Sequence, residues 1–278
     1  MQRRLVITAD DLGVDPDTNA AIVELMRDGL VSSTTLIPVA PAAADAVERL
    51  HAAGFDSPRL HLALSTGKEW AGWRPLAPGV VSLTGPDGTL PIDGGVAEHR
   101  ATASDVAREL VAQLDWMRGM GLRPPGLDSH SGTLYGLHGR SLAETALEFC
   151  AAQGLAFRLP RRLSAALGVA VRGLRAAHRR AVDRADQLGV PLPETLLSSW
   201  LPGGMVLSYP QLRAEVVAQL RGLPAGTSEL IVHPTPRAAA ALLRRGDGRK
   251  RLWELRLLRD PAFHRALRRE DITIVPAW

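Results

Sequence analysis

Short apolar runs alternate with amphipathic stretches along the chain, the pattern of repeated strand–helix units around a largely parallel sheet. Residues 5–9 read as a first strand that ends at Asp10-Asp11-Leu12-Gly13. Asp15-Pro16-Asp17 then supplies an N-terminal cap and an early proline for a helix running to about Gly29. A second strand is expected over 33–39, a helix over 42–53 and a third strand over 59–65. Residues 66–103 break the pattern: they are rich in Gly, Pro and Trp, show neither period, and make a loop of the length that is usually functional. Ser104 caps an expected helix over 105–120, where Val106, Leu110, Leu114 and Met117 recur at helical spacing. A strand end at 126–131, a helix at 139–153, a strand at 155–159, an Arg-rich helical insertion at about 161–189, a helix at 209–223 and strands at 229–233 and 272–275 complete the reading. The expected fold is α/β: one distorted (β/α) barrel-like domain over 1–278 with mostly parallel strands, a size such barrels usually have.

Composition narrows the class. Aliphatic residues build the core, since aromatics are 4% of the chain. Cys150 is the single cysteine, so no intrachain disulfide forms, and its helical setting reads as a small apolar residue. The apolar run at 5–9 is too short for a signal peptide, and no stretch reaches the roughly 18 to 20 residues of a membrane helix. A soluble cytoplasmic protein with no membrane partner is expected. The formal charge of +4 is almost all arginine, Lys68 and Lys250 being the only lysines. Arginines crowd 158–184 and 237–269, but without interleaved aromatics these read as solvated helix faces and not as a nucleic-acid surface.

Chemistry concentrates at strand exits. Asp10 and Asp11 are adjacent acids at the end of an apolar strand, a costly arrangement unless hydrogen bonds or a cation offset it. His61 interrupts Leu60-His61-Leu62-Ala63-Leu64, His130 sits where an apolar segment meets a polar turn, and His233 ends Glu229-Leu230-Ile231-Val232-His233 before Pro234. Each histidine alone is explained as well by a satisfied core position. Together, two acids and three histidines at the C-terminal ends of four strands converge on one site, the end where α/β barrels keep their active sites. An Asp and two His suit Zn²⁺ or a similar divalent ion, Mg²⁺ included, and leave an acid and a histidine for proton transfer. Trp70 and Trp73 in the long loop are candidates to stack on a sugar. Ser131 lies beside His130, and Arg158, at another expected strand exit, orients Asp10 or meets substrate. His51, His99, His138, His178 and His264 are assigned to the surface or to helix starts.

In these pieces the chain resembles the YdjC-like carbohydrate deacetylases, which include chitooligosaccharide deacetylases. The matching segments are Thr8-Ala9-Asp10-Asp11-Leu12-Gly13, Gly-Leu-Val-Ser-Ser-Thr-Thr at 29–35, Leu60-His61-Leu62, Asp128-Ser129-His130 and Glu229-Leu230-Ile231-Val232-His233-Pro234. The resemblance implies a distorted barrel, removal of an N-acetyl group from an amino sugar, and a divalent ion held by Asp11, His61 and His130, with Asp10 as base and His233 as acid. This chain departs from the family in the residues after His130, where Ser131, Gly132, Thr133, Leu134 and Tyr135 replace further histidines. The lining of the site is therefore its own, and a chito-oligosaccharide does not carry over as substrate with the chemistry.

The expected partner is a small N-acetylated sugar, and a homodimer is compatible with the reading. Two other functions use the same residues. A non-haem iron oxygenase also needs two His and a carboxylate, but no histidine here is followed two residues later by Asp or Glu. A non-catalytic carbohydrate- or nucleic-acid-binding protein on the same scaffold is disfavoured by Asp10 and His233 standing beside all three ligand candidates.

Overall fold

The computed structural model describes residues 2–67, 69–163 and 174–278. The strands are β1 (Arg3–Leu12), β2 (Ser33–Leu36), β3 (Arg59–Leu62), β4 (Gly126–Ser129), β5 (Ala156–Phe157), β6 (Leu196–Leu197), β7 (Gly226–Val232) and β8 (Ile272–Ile274). They form one sheet in the order β5-β4-β3-β2-β1-β7-β6, with β8 on β1, and every pairing is parallel. β7 runs along one edge of β1 from Arg3 to Ala9, so β8, paired to Arg3–Leu5, and β2, paired from Thr8 onward, share the other edge end to end. Main chain at 191–194 bridges β5 towards β6: Phe157 N donates to Pro191 O at 3.0 Å and Arg161 N to Pro193 O at 2.8 Å. The result is the barrel-like α/β domain that the alternation of apolar runs predicts.

The helices are α1 (Pro16–Arg27), α2 (Ala43–Ala52), α3 (Gly94–Arg100), α4 (Ala103–Gly119), α5 (Ala143–Gln153), α6 (Leu174–Leu188), α7 (Tyr209–Arg221), α8 (Arg237–Ala240), α9 (Arg245–Leu258) and α10 (Pro261–Arg269). Asp15 caps α1 as expected, accepting from Thr18 N at 2.8 Å. α4 begins earlier than Ser104 because Thr102 takes the cap, accepting from Asp105 N. The long loop is not wholly irregular, since it holds α3, capped by Asp93. Of the Arg-rich insertion, α6 is helical, while 164–173 lies outside the described residues. Among the described residues no helix is long and apolar enough to cross a membrane.

Alternation along the strands separates two environments. Leu5, Ile7 and Ala9 of β1, Leu60 and Leu62 of β3, Leu127 of β4 and Leu230 of β7 join the apolar core under the helices. The opposite parity is polar and equally buried: Thr8, Arg59, Asp128 and Glu229. The interior of the sheet's curve is therefore an ion cluster. Cys150 is fully buried in α5, where burial pushes its thiol pKa up, as its apolar setting predicts.

The largest departure from the expected elements lies between His233 and Ile272. The stretch was expected to contribute solvated faces, yet α9 and α10 bury Leu257, Leu258 and Phe263 completely. Arginines interspersed among the apolar residues hide these helices from a periodicity search. Asp260 joins them: it caps α10 by accepting from Ala262 N at 2.7 Å and takes hydrogen bonds from Tyr209 Oη and Arg213 of α7. The Tyr209 bond, with the cap and Arg213, outweighs burial and lowers the Asp260 pKa from 3.8 to about 2. Because the folded pKa is depressed, the carboxylate's contribution is present above pH 3.8 and is lost as pH falls through about 2. Asp260→Ala is expected to cost about 1 to 2 kcal/mol at neutral pH. Urea unfolding of both proteins should show that gap narrowing below pH 3.8, and a gap constant down to pH 2 would contradict the role given to the charge.

Candidate active site

Successive side chains on a regular strand point to opposite faces, so Asp10 and Asp11 should not share a site. They do because β1 bulges. Ala9 pairs with Thr34 and Leu12 with Leu36, so three steps on β1 match two on β2. The extra residue is absorbed at Asp11, whose φ of 70° is left-handed. Asp tolerates that region better than most residues, at a cost on the order of 1 to 3 kcal/mol. Both carboxylates end 2% and 1% exposed, at the C-terminal end of the sheet.

His61 on β3 and His130, directly after β4, complete the first cluster. Asp11 Oδ1 lies 3.2 Å from His130 Nδ1 and 3.5 Å from His61 Nε2. The far nitrogen of each ring is held by an acceptor: His61 Nδ1 pairs with Asp128, and His130 Nε2 donates to Thr66 O at 3.0 Å. These bonds orient both rings so that His61 Nε2 and His130 Nδ1 face Asp11 Oδ1, the outer-sphere support metal-binding histidines usually have. A carboxylate oxygen and two imidazole nitrogens converging within reach of one ion fit a divalent metal. Asp10, His61 and Asp128 also cluster, but the two Asp10 oxygens are held by Arg158 and both Asp128 oxygens face His61 or an arginine. Burial opposes charge on His61, but the Asp128 and Asp10 carboxylates outweigh it and raise its pKa to about 10.

Two cations keep the acids ionised. Arg158, just past β5, clamps Asp10 through both nitrogens, at 2.7 Å to Oδ2 and 2.8 Å to Oδ1, while Thr35 Oγ1 adds a bond at 3.1 Å. Burial alone would raise the Asp10 pKa; the Arg158 charge reverses this, and His61 and His233 add to it, so the carboxyl stays well below its ordinary range. Asp11 is lowered in the same way, with Arg251 NH1 at 2.7 Å from the oxygen that the histidines do not face. Behind Arg158 the cluster continues to Asp128 at 3.1 Å and Glu229 at 2.8 Å. Arg59 pairs with Glu229, bonds Thr8 Oγ1 at 2.7 Å, and stacks its guanidinium 3.9 Å over Trp278.

His233 follows β7 and is partly open to solvent, its Nε2 4.0 Å from Asp10 Oδ2. Buried Glu254 of α9 accepts from the His233 backbone N at 2.8 Å and lies 3.6 Å from its Nδ1. Burial would raise the Glu254 pKa, but the His233 contacts lower it, so it stays anionic.

All five strand-exit residues thus meet. Ser131, with φ 55°, and Arg158 line the same cavity. Trp70 and Trp73 stand behind His130: Trp73 is buried with its ring 5.4 Å from His130, and Trp70 stacks on it at 5.8 Å under the Arg251 guanidinium. His178 is not a surface residue as expected; it is buried and bonds Pro160 O. Sequence reasoning missed Arg59, Glu229, Arg251 and Glu254, and gave Asp128 no role of its own. The signal for three of them was parity: Arg59, Asp128 and Glu229 stand two or four residues before His61, His130 and His233 and so share their face. Arg251 and Glu254, in a run of arginines, gave no comparable signal.

A family model described as YdjC-like protein matches residues 4–269. A carbohydrate deacetylase of Geobacillus stearothermophilus is 37% identical over 134 residues, 47% of this chain and 50% of that protein. One from Vibrio vulnificus is 34% identical over 129 residues, 46% and 48% of the two chains. The matches thus span about half the length of these curated relatives. A crystal structure from Enterococcus faecalis, described provisionally as a cellobiose-phosphate cleavage protein, superposes with a TM-score of 0.78 at 21% identity over 99% of this chain and 97% of that one, a likeness of fold.

If the first cluster holds the ion, Asp11→Asn, His61→Ala and His130→Ala should each lose most bound metal after dialysis, and Asp10→Asn should keep it. Metal content by plasma spectrometry checks this. Full occupancy in the first three, or loss in Asp10→Asn equal to that in Asp11→Asn, would reverse the assignment.

Proposed function

The chain belongs to the YdjC-like protein family, and on that premise we propose that it is a divalent-metal-dependent hydrolase that removes the N-acetyl group from an amino sugar or a glycosylated small molecule. The observation that carries this reading is the pair of histidines whose outer nitrogens are held by Asp128 and Thr66, leaving two ring nitrogens and one Asp11 oxygen turned to a common point. The names of the carbohydrate deacetylases it resembles support the substrate class.

Asp11, His61 and His130 hold the ion, with zinc favoured by two imidazoles in the donor set. Lewis-acid polarisation of the amide carbonyl and of water, which a bound ion supplies, is what lets a weakly basic carboxylate take part. Asp10 accepts the proton of the attacking water, and Arg158 fixes the direction of its lone pairs through the two-point clamp. The new C–O bond forms first as the carbonyl π electrons move onto oxygen, and the amide C–N bond breaks as they return. The nitrogen cannot depart as an amide anion, so His233 donates a proton and the products are acetate and a free amine. Glu254 anchors His233 on the far side, through its backbone N–H and beside Nδ1. Ser131 and Arg158 meet the substrate in the cavity. Trp70, half-buried between Trp73 and Arg251, meets a sugar at its exposed edge, and Trp73 supports it.

His233→Ala should lower kcat on an N-acetyl sugar by on the order of 10² or more, and far less on an acetyl ester of a low-pKa phenol, whose phenolate leaves unaided. Steady-state kinetics on both substrates decide it, and an equal loss on the two would make His233 a positioning group. Asp10→Asn should lose about 10² to 10⁴ in kcat on both substrates, because water is activated in either case. Retained ester activity in Asp10→Asn would remove it from the role of base.

A further inference from the structure

The cavity that holds the acids has a volume of about 420 Å³ and continues past them. Beside Asp10 and Asp11 its wall is charged, with Glu69, His233 and Arg251. Towards α6 the wall changes to Leu159 and Leu163 beyond β5 and Leu174, Ala177 and Ala181 on the helix. The polar side chains on that side already have partners in the protein. His178 Nε2 donates to Pro160 O at 2.6 Å, Ser198 Oγ to Ile231 O at 3.1 Å, and Ser199 Oγ to Glu215 at 2.8 Å. Burial lowers the His178 pKa, so that ring adds no charge at neutral pH. Two lining residues, Tyr135 and Trp200, have a hydroxyl and an indole N–H without an acceptor among the described residues, but both atoms are buried beneath the cavity surface.

A free oligosaccharide placed against this wall would leave its hydroxyls unpaired, which costs free energy for each one. An apolar group would lose nothing there. We infer that the substrate is an N-acetyl amino sugar carrying an apolar substituent, with the acetamide at Asp10 and His233 and the substituent in the chamber between β5 and α6. This rests on the deacetylase reading for the acetamide end alone; the chamber is argued from its own walls.

The test separates the two. Calorimetry with the zinc-loaded protein and methyl, butyl and hexyl glucosides, which have no acetamide, reads the chamber independently of any hydrolysis. Kd is expected to tighten about threefold to fourfold per methylene buried, at least tenfold from methyl to hexyl. Ala177→Trp and Ala181→Trp, which fill the chamber, should flatten that dependence; if neither folds, the series on the unmodified protein decides alone. Binding that does not vary with chain length overturns the inference. Acetate release from methyl N-acetylglucosaminide reports separately on the deacetylase reading. With the corresponding hexyl glycoside, kcat/KM should rise at least tenfold over methyl, and equal values would count against the inference.

Discussion

The site depends on one backbone irregularity, the left-handed turn of Asp11 near the C-terminal end of a buried parallel strand. Without the bulge, a pleated strand would put one carboxylate inside the barrel and the other under the helices. With it, one acid faces two histidines and its neighbour faces a third, and each has a different job. The strain persists because both flanks are fixed, by β7 on one edge up to Ala9 and by β2 on the other beyond it.

Two adjacent buried carboxylates also need two cations, and the rest of the interior follows from supplying them. Arg158 from the end of β5 serves Asp10, and Arg251 from α9 serves Asp11. Arg158 in turn needs Asp128 and Glu229, and these need Arg59. Such clusters add little net stability, because desolvation consumes most of the Coulomb gain. Their effect here is orientation: Asp128 also sets the His61 tautomer, so the cluster that holds the proposed base fixes the proposed metal ligand as well. Helix α9 does the same from outside the sheet, with Arg251 on one acid and Glu254 behind His233.

Much of this was legible in the chain. Short apolar runs that end at Asp10-Asp11 and at His233, or that His61 interrupts, located the strands and the end of the sheet that matters, because a polar or charged group in such a run must have a partner. What was not legible has physical reasons. β5 and β6 are two residues each, too short for any period. α9 is rich in arginine and glycine, yet it buries Leu257, Leu258 and Glu254, and only tertiary packing distinguishes those from a solvated face. The bulge itself was invisible, since Asp-Asp is the same dipeptide whether the strand is regular or not. Trp73 shows the opposite case: an aromatic in a Gly- and Pro-rich loop looks available for a ligand until the loop folds it against His130.

The central claim is that this arrangement hydrolyses an acetamide with a divalent ion at Asp11, His61 and His130. The most direct measurement follows a glycoside of N-acetylglucosamine, labelled with ¹³C at the acetyl carbonyl, by NMR in the presence of the protein. The account predicts conversion of the amide carbonyl signal to acetate with one free amine per acetate, loss of conversion on chelation, and recovery on adding Zn²⁺ or another divalent ion. Conversion that survives complete removal of metal, or an amide signal left unchanged by the metal-loaded protein, would contradict it.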